Sequence, residues 1–234
     1  MGDTAKAKRE MTFLLARPER WFLQAVAVRV PGWINSNHFT ALGVLGAVAC
    51  GTCYSLTTDD PKWLWFASLA LVVNWFGDSL DGTLARVRKA ERPRYGYYID
   101  HVVDAFATAA IGIGLGLSPY VRLDVALFLV LMYLTLSINV YLESAVFGVF
   151  KIAYGKIGPT EARLILILAN AVLWLSSTLL PGWGNEVRFV ANAVVGLMAI
   201  AMLGVLVVRF GQNLHKLSKE EPRKRWRDRK KKTD

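Results

Sequence analysis

Cysteine is nearly missing from this chain, and charge is thin: two Cys and 20% charged residues in a sequence of 234. The sparse charge, beside 54% hydrophobic residues, excludes a soluble globule built around one core and points to a polytopic membrane protein. The two cysteines, Cys50 and Cys53, make a C-x-x-C inside an uninterrupted apolar segment. With no other cysteine to complete a thiolate metal site, they are expected to be structural. No internal repeat, no low-complexity region and no long linker interrupts the sequence, which excludes a solenoid or a chain divided into two folded bodies. The N-terminal "MGDTAKAKRE" is polar and the segment behind it is charged, so no cleavable signal peptide is expected.

What is present is a series of apolar stretches, each near the length of about 20 residues that crosses a bilayer. Six spans are expected at Phe39–Leu56, Trp63–Leu84, Tyr97–Val121, Val125–Phe150, Leu164–Leu180 and Phe189–Val208. The short connections between them predict antiparallel neighbours in one bundle. Ahead of the first span, Met11–Val30 mixes apolar residues with Arg17, Glu19, Arg20 and Arg29. That mixture reads as an amphipathic helix in the membrane interface, because a span would carry four charges into hydrocarbon. The fold class is therefore all-α: six transmembrane helices in a domain of residues 1–212, then a basic tail at 213–234. Small residues at four-residue spacing, Gly43–Ala47–Gly51 and Gly112–Gly116, predict close helix contacts within the bundle or between protomers.

The net charge of +10 is strongly one-sided. If both termini are cytoplasmic, all Lys and Arg but Lys62, Arg122 and Arg188 fall on the cytoplasmic side, as the positive-inside rule requires. The tail "RKRWRDRKKK" is expected on anionic headgroups. Nucleic acid is not expected as a partner, since the tail has a single aromatic, Trp226, and no fold of its own.

Against this apolar background, "DSLDGTLARVRKAERPRYGYYIDHVVD" stands out. Asp78 and Asp81 are three residues apart and share a helix face, with Asn74 one turn earlier. Asp100 and Asp104 form the same kind of pair on the next span. Two antiparallel helices can thus bring four carboxylates to one depth near their cytoplasmic ends. Each Asp at mid-membrane costs roughly 2.5–3.5 kcal/mol on insertion scales. Divalent cations would offset both that cost and the mutual repulsion, and an all-oxygen ligand set favours magnesium, manganese or calcium. Four carboxylates suffice for two ions, an arrangement suited to displacement at phosphorus. Gly82 and Gly96 permit close approach of a ligand, Ala85 keeps the surface low, and Arg86 can offer a planar fork to a diphosphate.

These residues resemble the signature of the CDP-alcohol phosphotransferases, D-x2-D-G-x2-A-R-x8-G-x3-D-x3-D, at Asp78, Asp81, Gly82, Ala85, Arg86, Gly96, Asp100 and Asp104. One departure is clear: nine residues, Val87 to Tyr95, separate Arg86 from Gly96 where the family usually has eight. "NSNHFT", before the first span, is similar to the family's N-x-x-T, which implies that Asn37 and Thr40 lie near the nucleotide. The resemblance also implies six spans, a homodimer, and transfer of a substituted phosphate from a CDP-linked donor to an alcohol. The usual donor is CDP-diacylglycerol, and CMP leaves. Asp78, Asp81, Asp100 and Asp104 would surround two ions, magnesium or manganese, with calcium a non-productive ligand. Asp104 would be the base for the acceptor hydroxyl.

For the acceptor, Lys151, Lys156 and Arg163 offer charge for a phosphate, whereas Glu143 and Glu161 would suit an amine. His101 points about 100° away from Asp100 on a helix and is expected to pack. Asn139 and Asn170 are expected to bond between helices. The setting expected is a bacterial inner membrane, with the active site and both termini cytoplasmic. Two other readings compete. A divalent-cation transporter would place acids at several depths, yet Asp59, Asp60, Asp124 and Glu186 all fall in outer loops. A catalytically silent scaffold of the same fold would have no need of four intact aspartates.

Overall fold

A computed structural model describes residues 15–147 and 158–221. Its described elements are helical: α1 Ala16–Ala27, α2 Ser36–Leu56, α3 Trp63–Val87, α4 Pro93–Gly116, α5 Leu123–Phe147, α6 Pro159–Leu179 and α7 Gly184–Glu220, with a 3-10 turn at Pro181–Trp183 before the last. Five helices, α2, α4, α5, α6 and α7, are long and apolar enough to cross a membrane. The chain is an integral membrane protein of all-α, polytopic architecture. α3, expected as a further span, is 25 residues long, but it carries Asn74, Asp78, Asp81 and Arg86 from its middle to its C-terminal end.

Local chemistry sets the helix ends. α1 stops at Ala27, short of the expected Val30, because Pro31 disfavours helical backbone in the residue before it. α2 begins three residues before the expected Phe39; there the His38 ring accepts the backbone N–H of Asn35 at 3.0 Å and caps the first turn. α4 starts with Pro93, whose fixed φ suits a first turn, and ends ahead of Ser118–Pro119. α7 runs unbroken to Glu220, well past the expected end at Val208. The proposed metal-site helices meet at a tight connection, residues 88–92, where Lys89 turns the chain at φ 53°.

Glycine decides how closely α2, α3 and α4 approach. A Cβ on Gly46 would lie 2.6 Å from the backbone nitrogen of Asn74, and one on Gly77 would lie 2.6 Å from the carbonyl oxygen of Phe39. α2 and α3 are therefore in backbone contact. Gly51 of α2 and Gly114 of α4 meet in the same way, while Gly112 and Gly116 receive Val130, Leu123 and Ala126 of α5. The small-residue seams thus lie within one bundle. Around them Cys50, Tyr54, Leu64 and Leu71 form the main buried core, and both cysteines are free thiols. A second core joins Leu23 and Ala27 of α1 to Leu80 and Leu84 of α3.

One polar chain crosses the apolar core. The Tyr54 hydroxyl donates to Asn170 at 2.9 Å, and the Asn170 amide donates to Ser68 at 3.0 Å, tying α2, α6 and α3 together. Asn170 is thus the helix-bridging residue its position suggested. Asn170→Ala should lower stability by about 1 kcal/mol, the usual scale for interhelical hydrogen bonds in membranes. The midpoint of detergent-induced unfolding reads this directly. α5, α6 and α7 by contrast expose long apolar side chains such as Leu131, Leu168, Val172 and Leu197, a surface suited to hydrocarbon.

Candidate active site

The helical spacing of the four aspartates becomes a shared pocket because glycine lets α2 lie so close to α3. Asp78, Asp81, Asp100 and Asp104 all line it, together with Thr40 and Gly43 of α2 and Asn74 of α3. Asp78, Asp100 and Asp104 each place a carboxylate oxygen within 4.8 Å of the others. Three hard oxygen donors at that separation can hold one divalent cation of the magnesium, manganese or calcium type. Asp81 is held differently. One of its oxygens accepts the Thr40 hydroxyl at 2.6 Å and the other accepts the backbone N–H of Gly82 at 2.5 Å.

Arg163, at the start of α6, reaches into the same cluster. Its Nη2 donates to Asp78 at 3.0 Å and its Nε donates to Asn74 at 2.9 Å. The Asn74 amide in turn donates to the Gly43 carbonyl at 2.9 Å. A continuous polar line therefore runs from α2 through α3 to α6. Both members of the Arg163–Asp78 pair are largely shielded, with side chains 15% and 22% exposed. A pair so shielded is stronger than a surface ion pair, and it partly offsets the repulsion among the carboxylates.

Of the residues expected around the nucleotide, Thr40 and Asp81 line the pocket, whereas Asn37, Gly82, Ala85, Arg86 and Gly96 are not part of its lining. Arg86 is exposed and folds back over Gly82, its Nη2 donating to Thr83 at 3.0 Å. A Cβ at position 82 would come to 3.4 Å of the guanidinium, an ordinary contact with the end of a flexible side chain. Ala85, half-buried on the same turn, adds little bulk. Gly96 lies in the first turn of α4 with nothing within 4 Å of where a Cβ would sit. Asn37 donates to the Tyr95 hydroxyl at 3.4 Å, and the Arg92 guanidinium lies 3.7 Å over the Tyr95 ring. The first turns of α2 and α4 are thereby in direct contact.

The residues considered for the acceptor separate in space. Arg163 is in the cluster, whereas Glu143 is buried between α5 and α7, accepting the amides of Asn139 and Asn213, each at 2.7 Å. Asn139 therefore bonds within its own helix. Glu161 accepts the backbone N–H groups of Gly158 and Leu15, so it caps α6 and fastens α1 to it. Lys151 and Lys156 lie outside the described residues. His101 packs between the rings of Tyr97 and Tyr141, with centroids 4.1 and 4.4 Å away.

Two contributions escaped the sequence. Arg163 pairs with Asp78 although 85 positions separate them. Glu19, the lone acid of α1, accepts the Trp75 indole at 2.9 Å, the Ser79 hydroxyl at 3.0 Å and the Thr160 hydroxyl at 3.1 Å. An acid isolated among arginines was the only available signal for Glu19.

The fold and site together describe a membrane-embedded protein with an acidic pocket between three helices, whose aspartates could hold a metal ion. The family model for CDP-alcohol phosphatidyltransferase matches residues 33–208, and the chain belongs to that family. It is accordingly a transferase of substituted phosphate groups, which moves a phosphatidyl group from a CDP-alcohol to an alcohol acceptor in phospholipid synthesis. Comparison with curated proteins, one by one, finds no match.

Proposed function

We propose that the protein transfers the phosphatidyl group of CDP-diacylglycerol to an alcohol, releasing CMP, in a reaction that depends on two divalent cations, magnesium or manganese. The observation that carries this reading is the convergence of Asp78, Asp100 and Asp104 oxygens within 4.8 Å in one pocket. Asp81 lines that pocket and completes a four-carboxylate ligand set for two ions. When bound, the ions supply charge for the diphosphate and acidify the acceptor hydroxyl. Calcium fits the same oxygen set as a non-productive ligand.

The chain's own residues do the remainder. Arg86, seated over Gly82, grips the diphosphate through its planar fork. Asn37, Thr40, Asp81, Ala85 and Gly96 shape the nucleotide's seat. Asp104 takes the proton of the acceptor hydroxyl as its oxygen attacks the phosphorus next to the lipid, and CMP departs with the bond electrons. Arg163 lies close enough to the carboxylates to meet the acceptor, with Lys151 and Lys156 as further candidates to contact it.

In the same reading α3 completes a six-span domain within residues 1–212. Both termini and the pocket face the cytoplasm of a bacterium, the tail at 213–234 lies on anionic lipid, and two copies pair in the membrane. The test uses the full chain in lipid with radiolabelled CDP-diacylglycerol. Serine, glycerol phosphate, inositol, inositol phosphate, choline and ethanolamine are supplied in turn as acceptors. CMP should appear with one acceptor, disappear on chelation and return with magnesium or manganese. A chain that bound no cytidine nucleotide under any of these conditions would overturn the reading.

A further inference from the structure

We propose that the outward face of α1 is a binding site for the headgroup of an anionic phospholipid, with Arg17 and Arg20 as its phosphate-gripping pair. The inference stands apart from the transfer reaction, because it rests on α1 and not on the aspartate pocket.

α1 has two chemically opposite sides. Ala16, Leu23 and Ala27 are buried, and the helix's single acid, Glu19, has both carboxylate oxygens engaged by α3 and α6. Negative charge is thus drawn wholly to the inner side. On the other side Arg17, Arg20, Trp21 and Gln24 are exposed and, with Ala16, line an open surface hollow. Arg17 and Arg20, three residues apart, share one helix face, and neither has a hydrogen bond or ion pair with another described residue. Trp21 is 75% exposed and Trp33, just beyond the helix, is 78% exposed. Two guanidiniums unpaired among the described residues, beside indoles, match a ligand with an anionic phosphate on an apolar body, since indole rings favour the headgroup level of a bilayer.

The occupant is a lipid and not free phosphate, because the exposed apolar side chains continue from Trp21 to Phe22, Val28 and Trp33. Occupancy would also steady the bundle. α1 is fastened through Glu19 to Trp75, Ser79 and Thr160, and through the Leu15 backbone to Glu161. A ligand that binds only the seated α1 therefore shifts unfolding to higher temperature.

The experiment follows thermal unfolding of the full chain in neutral detergent while phosphatidylglycerol, phosphatidylcholine or inorganic phosphate is titrated in. Phosphatidylglycerol should raise the unfolding temperature by a few degrees, and the other two should not. In Arg17→Gln/Arg20→Gln the apparent affinity for phosphatidylglycerol should fall about 30-fold, each cation near an anionic surface contributing about 5-fold. Arg17→Lys/Arg20→Lys should lose part of it, since an ammonium keeps the charge but not the planar fork. Lys62→Gln/Arg188→Gln, which removes the same charge ahead of α3 and near the start of α7, should leave the effect nearly unchanged. Equal losses in the two double variants would mean general charge attraction and overturn the proposal. So would an unaltered phosphatidylglycerol response in Arg17→Gln/Arg20→Gln, or an equal response to inorganic phosphate.

Discussion

Asp104→Asn should cut CMP release by about 10²–10⁴-fold, the usual span for losing a general base, while making the metal-free protein slightly more stable. The two effects have opposite signs for one reason. Without a cation, the close carboxylates of Asp78, Asp100 and Asp104 repel one another, and the Arg163 pair with Asp78 relieves part of that repulsion. Asparagine is nearly isosteric and removes one charge, so the repulsion falls and the pocket keeps its shape. The same change removes a ligand and the proton acceptor, so turnover is lost and added magnesium stabilises the variant less than the parent. CMP release and unfolding temperature, each with chelator and with magnesium, separate the cases. Activity within tenfold of the parent would remove Asp104 from the chemistry. A variant that lost activity and stability together would assign it a packing role instead.

Gly77→Ala should be among the most damaging single-methyl changes in the bundle. The new Cβ would lie 2.6 Å from the Phe39 carbonyl oxygen and 2.7 Å from the Gly43 Cα, both backbone atoms that no rotamer can move aside. α2 must retreat from α3, which costs about 1–3 kcal/mol by overpacking alone. The retreat also pulls the Gly43 carbonyl from Asn74 and the Thr40 hydroxyl from Asp81, so activity should fall with stability. Gly196→Ala is the control. Nothing lies within 4 Å of its Cβ, and alanine favours helix by up to about 1 kcal/mol, so stability should hold or rise. Equal behaviour of the two variants, read by thermal unfolding and CMP release, would show that the α2–α3 contact does not govern the pocket.

How much of this was legible in the sequence depended on whether a relation was local. The aspartate pairs were readable because helical periodicity alone places residues three or four apart on one face, and a short connection makes their helices neighbours. The amphipathic character of α1 was readable for the same reason. Arg163 was seen as a cation near the right depth, but its partner was not, because which carboxylate an arginine meets depends on how α6 packs on α3. Glu161 could be read as a favourable first-turn charge, yet its bond to the Leu15 backbone required the fold of α1. Glycine spacing announced close contacts, and only packing showed that Gly46 faces Asn74 and Gly51 faces Gly114. The length of α7 was missed because its extension beyond Val208 is held in a helix that no longer needs to be apolar.

The polar load of α3 also bears on how the chain is made. A translocon sorts each emerging segment by its preference for hydrocarbon, and Asn74, Asp78, Asp81 and Arg86 make α3 a reluctant passenger on that test. Its partners are born at different times: Gly43 and Thr40 ahead of it on α2, Arg163 long after it on α6. The first can shelter Asn74 and Asp81 as a nascent hairpin, while Asp78 waits for its arginine until most of the ribosome's work is done. The pocket is therefore among the last parts of the molecule to be finished, and a chain stalled before α6 would hold Asp78 without its arginine.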